Sequence, residues 1–190
     1  MVLVYVGAVF KNIEIAMAKA TYIAIAAITI DGKIAKGPKH FSDWTSPEDK
    51  KFMRALLNKC DVVIVGNNTY KTAIKPLSKK NCIVLSRSEN QTNQKNRIYV
   101  NPDKTDLRKF IGGRGYKKIA ILGGAQTYTY CLEHSMMDEL YLTIEPIVFG
   151  RGIDLFASKN YLYSKLQLIS TKKLNNQGSL LLYYKAIDKT

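Results

Sequence analysis

"DVVIVGNNTYKT" (61–72) decides how this chain is read. Its first half, 61–66, is an unbroken apolar run rich in β-branched residues, the pattern of a strand buried on both faces. Its second half opens on Gly66 and continues with Asn67, Asn68 and Thr69. Gly66 lets a ligand or a second backbone come close. Asn68 and Thr69 can cap a following helix, whose first N–H groups attract phosphate. Such a handover is either a plain capped surface turn or a turn that holds a nucleotide.

The same alternation extends on both sides. Strands are expected at 21–30, 80–86, 96–100, 117–124 and 138–150, and helices at 46–59, 103–113 and 125–135. The first helix carries clear start signals: Ser46 as N-cap, Pro47 at the first helical position and Asp49 three residues past the cap. Phe52, Leu56 and Lys59 share one of its faces, and Met53 and Leu57 share another. Residues 165–187 read as a closing β-hairpin with "NNQG" near its turn, and 86–96 as a polar surface loop. Strands alternating with helices imply an α/β fold: a mostly parallel central sheet with flanking helices, finished by a C-terminal antiparallel hairpin.

A length of 190 residues with 46% hydrophobic content suits one compact domain with room for a cleft. Lys and Arg number 29 against 15 acidic residues, a net charge of +14 that favours anionic partners. Nucleic acid and a phosphorylated cofactor are both candidates, but the charges are scattered and no zinc-finger, RRM or KH signature accompanies them, so a lysine-rich solvated surface is favoured over nucleic-acid binding. Cys60, Cys82 and Cys131 form no CxxC pair, and His40 and His134 lie far apart, so no metal site is expected. Unpaired thiols suit a cytoplasmic setting. No GxSxG elbow or Walker A motif is present. The opening apolar stretch ends at Lys11, too short to span a bilayer, and it lacks the basic start of a signal peptide. Residues 1–16 are therefore expected to form an extension outside a single domain at 17–190, with Met17 a candidate start and no membrane partner.

Ligands of open α/β sheets bind outside the carboxyl ends of the strands. Besides "GNNTY", three segments bring suitable chemistry there. "LGGAQTY" (122–128) sends paired glycines into a helix, an anion-friendly terminus. "SRS" (86–88) sets Arg87 between two hydroxyls, able to grip phosphate through several donors. Asp49 follows Trp44 by five residues and precedes the apolar Phe52, Met53 and Leu56. An acid at the mouth of an apolar cleft can pair with an amidine-like ring edge, and burial raises its pKa.

Together these segments resemble the dihydrofolate reductase superfamily, which includes the riboflavin-pathway pyrimidine reductases. The resemblance runs from about 21 to 187 through "IAAITIDGKIA", "DWTSPEDKKFM", "VVIVGNNTYKTAIKPLSKKNCIVLSRS", "AILGGAQTY" and "DELYLT". It implies the dihydrofolate-reductase-like fold and NADPH as cofactor. It implies Asp49 as the acid that orients a pterin and assists its protonation, with Trp44 above and Thr143 in support. Ala27, Ile34, Gly66, Asn67, Asn68, Thr69, Ser86, Arg87, Leu122, Gly123, Gly124, Ala125, Gln126, Thr127 and Tyr128 would border the cofactor. Ala26, Met53, Lys79 and Lys80 would border a small-molecule substrate.

The pattern has departures. Met53 stands where the family has an aromatic residue, and "KPLSKKN" offers Lys79 or Lys80 in place of the arginine that holds the folate tail. "DGKIA" and "PIVFGRGIDLF" (146–156) look more like the pyrimidine reductases. On balance the expected reaction is reduction of 7,8-dihydrofolate to tetrahydrofolate. The alternative is 5-amino-6-(5-phosphoribosylamino)uracil reduction, disfavoured by the missing zinc-deaminase half and the missing Asp-Asp-Pro run after the threonine. A non-catalytic nucleotide- or nucleic-acid-binding module is a remote third. The long strand and "FGRG" could serve a homodimer, as in some relatives.

Overall fold

The computed structural model describes residues 20–88 and 93–187, so the extension at 1–16 and the start of the expected domain lie outside the described residues. Among the described residues, ten strands and five α-helices follow the chain in the order β1 (Thr21–Thr29), β2 (Lys33–Ala35), α1 (Pro47–Leu57), β3 (Val62–Gly66), α2 (Asn67–Thr72), α3 (Ile74–Leu77), β4 (Cys82–Leu85), β5 (Arg97–Val100), α4 (Leu107–Gly112), β6 (Lys118–Ile121), α5 (Ala125–Glu133), β7 (Glu139–Glu145), β8 (Ile153–Asp154), β9 (Leu166–Lys173) and β10 (Leu180–Ala186). Eight of the strands form one sheet in the order β5-β4-β3-β6-β1-β7-β10-β9. The strands from β5 to β7 pair in parallel, and β10 and β9 close the sheet antiparallel.

The unbroken apolar runs are explained by burial on two faces. In β3, Val62 and Ile64 enter one core with Leu107 and Ile111 of α4 and Tyr128 and Cys131 of α5. Val63 and Val65 enter the other with Leu57 of α1, Tyr70 of α2 and Leu77 of α3. Each fully buried aliphatic side chain contributes about 1.5–3 kcal/mol of transfer free energy. The result is a helix–sheet–helix stack, with polar residues left for the strand ends.

The order of strands puts the site where it is. From β3 the chain winds outward to β4 and β5, then returns to insert β6 between β3 and β1 before moving on to β7. The carboxyl ends of β3 and β6 therefore lie side by side at the point where the winding reverses. Leu122 donates its N–H to Ile64 (3.0 Å) and Gly66 donates to Gly123 (2.7 Å), carrying the pairing past the strands into both turns.

Three local expectations need correction. Asn68 and Thr69 do not cap a helix; they lie inside α2, because Gly66 (φ −72, ψ 149) itself ends the strand and serves as the cap, with no side-chain bond. The helix expected at 103–113 begins only at Leu107, because Asp106 accepts the Lys109 N–H as N-cap and Asn101 holds the Asp103 N–H in a turn. The strand expected to reach 150 stops at Glu145, where Pro146 has no N–H to continue the ladder. Beyond it the chain forms β8, which pairs antiparallel with β2. No helix among the described residues is long and apolar enough to cross a membrane.

Candidate active site

A cavity of about 1340 Å³ opens along the carboxyl ends of the parallel strands. Asp49 stands at one end of it, on the first turn of α1, only 7% exposed. The helix starts there for the reason the sequence suggested: the Ser46 hydroxyl accepts the Asp49 N–H at 3.2 Å, and Pro47 needs no donor partner. The Asp49 carboxylate is hydrogen-bonded by Thr143 of β7 and by Thr45. Burial pushes its carboxyl above the usual value, the two threonines pull it back, Glu145 raises it and Lys50 lowers it. Thr143 is 1% exposed and sits opposite Ala27 in the sheet, behind the cavity wall.

Trp44 also lines the cavity. It packs edge-on against Phe149 at 5.1 Å between centroids, and its Nε1 is buried without a hydrogen-bond partner. Ala26, Ala27, Ile34 and Met53 supply apolar wall around it. An acid, an indole and small apolar strand residues thus share one water-poor corner.

The glycine turns form the next stretch of wall. A side chain at Gly66 would meet Thr127 Oγ1 at 2.8 Å, and one at Gly124 would meet Thr69 Oγ1 at 3.1 Å. Gly123 has φ +78, and a β-carbon there would collide with the Tyr128 ring. That ring is buried, and its hydroxyl donates to the Ile25 carbonyl at 2.6 Å. Gly123 itself lies behind the wall, whereas Leu122, Gly124, Ala125, Gln126, Thr127 and Tyr128 line it. The α5 N-terminus has no side-chain cap, and the buried Asn67 Oδ1 has no partner. Asn67, Asn68, Thr69 and Ser86 complete this side.

The basic rim is engaged differently from the expectation. Arg87 forks onto Asp103 (Nε 2.7 Å, Nη2 3.2 Å), so part of its donor set is already used, and both side chains are exposed. Lys80 donates to Asn58 Oδ1 (2.7 Å) and to the Leu57 carbonyl (3.3 Å), holding the end of α1. Lys79 is exposed at the mouth. Burial pushes the thiols of Cys82 and Cys131 up to about 11 and about 12, which leaves neither a ready nucleophile.

Sequence reasoning missed Thr45, Glu145, Phe149 and the loop residues His40 and Phe41; of these Thr45, His40 and Phe41 line the cavity. Thr45 had a signal, lying between the tryptophan and the N-cap. Glu145 had one too, at two residues from Thr143 on a strand. The contacts of Phe149 and the loop are long-range and leave no local pattern.

A family model described as the RibD C-terminal domain matches residues 20–180. The uncharacterized protein YwjB of Bacillus subtilis strain 168 is 28% identical over 171 residues, covering 86% of this chain and 97% of its own length. A pyrimidine reductase-like protein from Corynebacterium diphtheriae superposes with a TM-score of 0.74 at 18% identity, covering 91% of this chain and 94% of its own. Dihydrofolate reductase from Enterococcus faecalis, complexed with NADP(H), superposes at 0.66 with 20% identity, covering 88% and 97%. At these identities the two structures share the fold.

Proposed function

Because the chain belongs to the RibD C-terminal domain family, we propose that it is an NADPH-dependent oxidoreductase whose substrate is a ribosylamino-pyrimidine of the 5-amino-6-(5-phosphoribosylamino)uracil type. The family match and the pyrimidine reductase-like neighbour favour this substrate over the expected dihydrofolate. Two features of the chain point the same way. "DGKIA" and "FGRGID", which carry the pyrimidine reductase resemblance, pair with each other as β2 and β8, joined by the Lys33–Asp154 ion pair. Lys80 is occupied by the end of α1 instead of reaching for a folate tail.

The observation that carries the reading is Asp49, buried, hydrogen-bonded by two threonines and facing the same cavity as Trp44 and the glycine turns. The wall fits the cofactor: the orphaned Asn67 Oδ1 can accept an N–H, and the uncapped start of α5 can receive an anion. Asn67, Thr69, Gly124, Gln126 and Thr127 would hold NADPH, which when bound supplies a hydride. The chain does the rest. Ala26, Ala27, Ile34 and Met53 exclude water, and Thr45 and Thr143 orient the Asp49 carboxyl. Asp49, its proton affinity raised by burial, orients a polar substrate edge and handles the proton. In this reading 17–190 act as one reductase domain, and the buried thiols suit a reducing cytoplasm.

Following NADPH absorbance with each substrate tests the proposal. Turnover of the ribosylamino-pyrimidine, with little of dihydrofolate, is expected. Turnover of dihydrofolate alone would return the assignment to the folate reductases, and turnover of neither would remove it.

A further inference from the structure

Glu145 is a buried carboxylate that the reaction above does not use. It ends β7, is 3% exposed and does not line the cavity. It follows Thr143 by two positions, so the two side chains share one face of the strand. One carboxylate oxygen accepts the backbone N–H of Ser46 at 2.7 Å, and the other accepts the hydroxyl of Ser179, which is 1% exposed. Ser46 is the N-cap whose hydroxyl in turn accepts the Asp49 N–H. Asn175 completes the network, donating to Ser179 Oγ (2.9 Å) and Glu48 Oε2 (3.3 Å) while accepting the N–H groups of Gly178 and Ser179. One carboxylate therefore joins the end of β7, the first turn of α1 and the β9–β10 turn.

Burying a charge is costly unless its oxygens are fully bonded. Here they are bonded, by two groups from different elements, and α1 adds the positive end of its dipole. We propose that Glu145 is a positioning residue: with Ser179 it clamps the first turn of α1 against β7 and so holds Asp49 between Thr45 and Thr143. The proposal rests on the reading of Asp49 as the proton-handling group. It also has an electrostatic consequence. Asp49 is faced by Glu145 from β7, Lys50 from its own helix and Tyr128 from α5. Burial raises the Asp49 carboxyl first of all, the hydrogen bonds from Thr143 and Thr45 pull it back, and the charge of Glu145 adds to the rise while Lys50 opposes it.

Titration of Asp49 by carboxyl carbon-13 NMR, assigned with Asp49→Asn, tests the clamp without any substrate. In Glu145→Gln, which keeps an oxygen for the Ser46 N–H, the Asp49 midpoint is expected to fall, and the pH profile of kcat/KM to move with it. In Ser179→Ala, which keeps both carboxylates, amide exchange at Ser46 and Asp49 is expected to speed up roughly tenfold, the loss of about one hydrogen bond, while β3 is unchanged. An unchanged Asp49 midpoint in Glu145→Gln, or unchanged exchange in Ser179→Ala, would overturn the proposal. Should Glu145→Gln not fold, the Ser179→Ala exchange decides it. The NMR and exchange readings stand even if neither heterocycle is turned over, so failure of the clamp and failure of the assigned reaction are told apart.

Discussion

The two ends of the cavity are built in opposite ways. At one end Asp49 is buried, and its partners are hydroxyls fixed on neighbouring elements, Thr45 and Thr143. At the other, Arg87 pairs with Asp103 in the open, Lys80 caps α1 and Lys79 reaches into solvent. Water cannot replace a lost partner at the first end and readily does so at the second. Hydrogen bonds gain strength in the dry corner, while exposed ion pairs are worth little. The acid end is therefore suited to chemistry and the basic rim to collecting anions, a task spread over a net charge of +14. Substitutions at the two ends should differ accordingly.

The largest effect is expected at Asp49. Asp49→Asn should lower kcat/KM by about 10²–10⁴, the usual worth of a positioned acid or base, with NADPH affinity nearly intact. Steady-state kinetics beside a fluorescence titration of NADPH measures both. A loss below threefold would erase the contrast between the two ends. Next comes Gly123→Ala. Its β-carbon would strike the Tyr128 ring at a positive φ, so overpacking of about 1–3 kcal/mol should appear as a lower Tm, with weaker NADPH binding.

The same Asp49→Asn variant carries a stability prediction with a definite sign. The folded carboxyl lies above its ordinary 3.8, so the stability it contributes is complete below that pH and lost as pH rises through the folded value. The variant should therefore be more stable than the parent at neutral pH, and the advantage should vanish below about 3.8. Chemical denaturation across this range gives the curve; an advantage that grows toward acid would reverse the assignment of burial as the main cause.

Legibility in the sequence followed the same division. The buried strands were readable because burial on both faces demands continuous apolar runs, as in "VVIV" and "TYIAIAAIT". The Asp49 corner was readable because Ser46, Pro47 and Asp49 obey helix-start chemistry and Trp44 stands nearby. The α2 start was misread because Asn and Thr are good caps in isolation, while the true cap, Gly66, is set by its bond to Gly123 across the sheet. The pairing of Arg87 with Asp103 was not legible because Asp103 lies sixteen positions away, beyond any local pattern. The Glu145 network escaped because its partners come from α1 and from the last hairpin. The substrate preference leaned toward folate because Trp44, Asp49 and the glycine turns are shared across the superfamily, and the distinguishing segments only pair in space.

The smallest effect is expected at the rim. Arg87→Ala removes one member of an exposed pair, and such pairs are worth about 0–1 kcal/mol, so the Tm should barely move. If phosphate collection is spread over the rim, the KM for NADPH should rise by no more than about fivefold, the same 1 kcal/mol, and the rise should shrink with added salt. Asp103→Ala then becomes the sharper probe, since it frees the guanidinium that Arg87 now shares. It should lower the KM for NADPH if Arg87 turns to the cofactor. A fall in KM with Asp103→Ala beside a rise of a hundredfold with Arg87→Ala would mean that one arginine does what the contrast assigns to the whole surface.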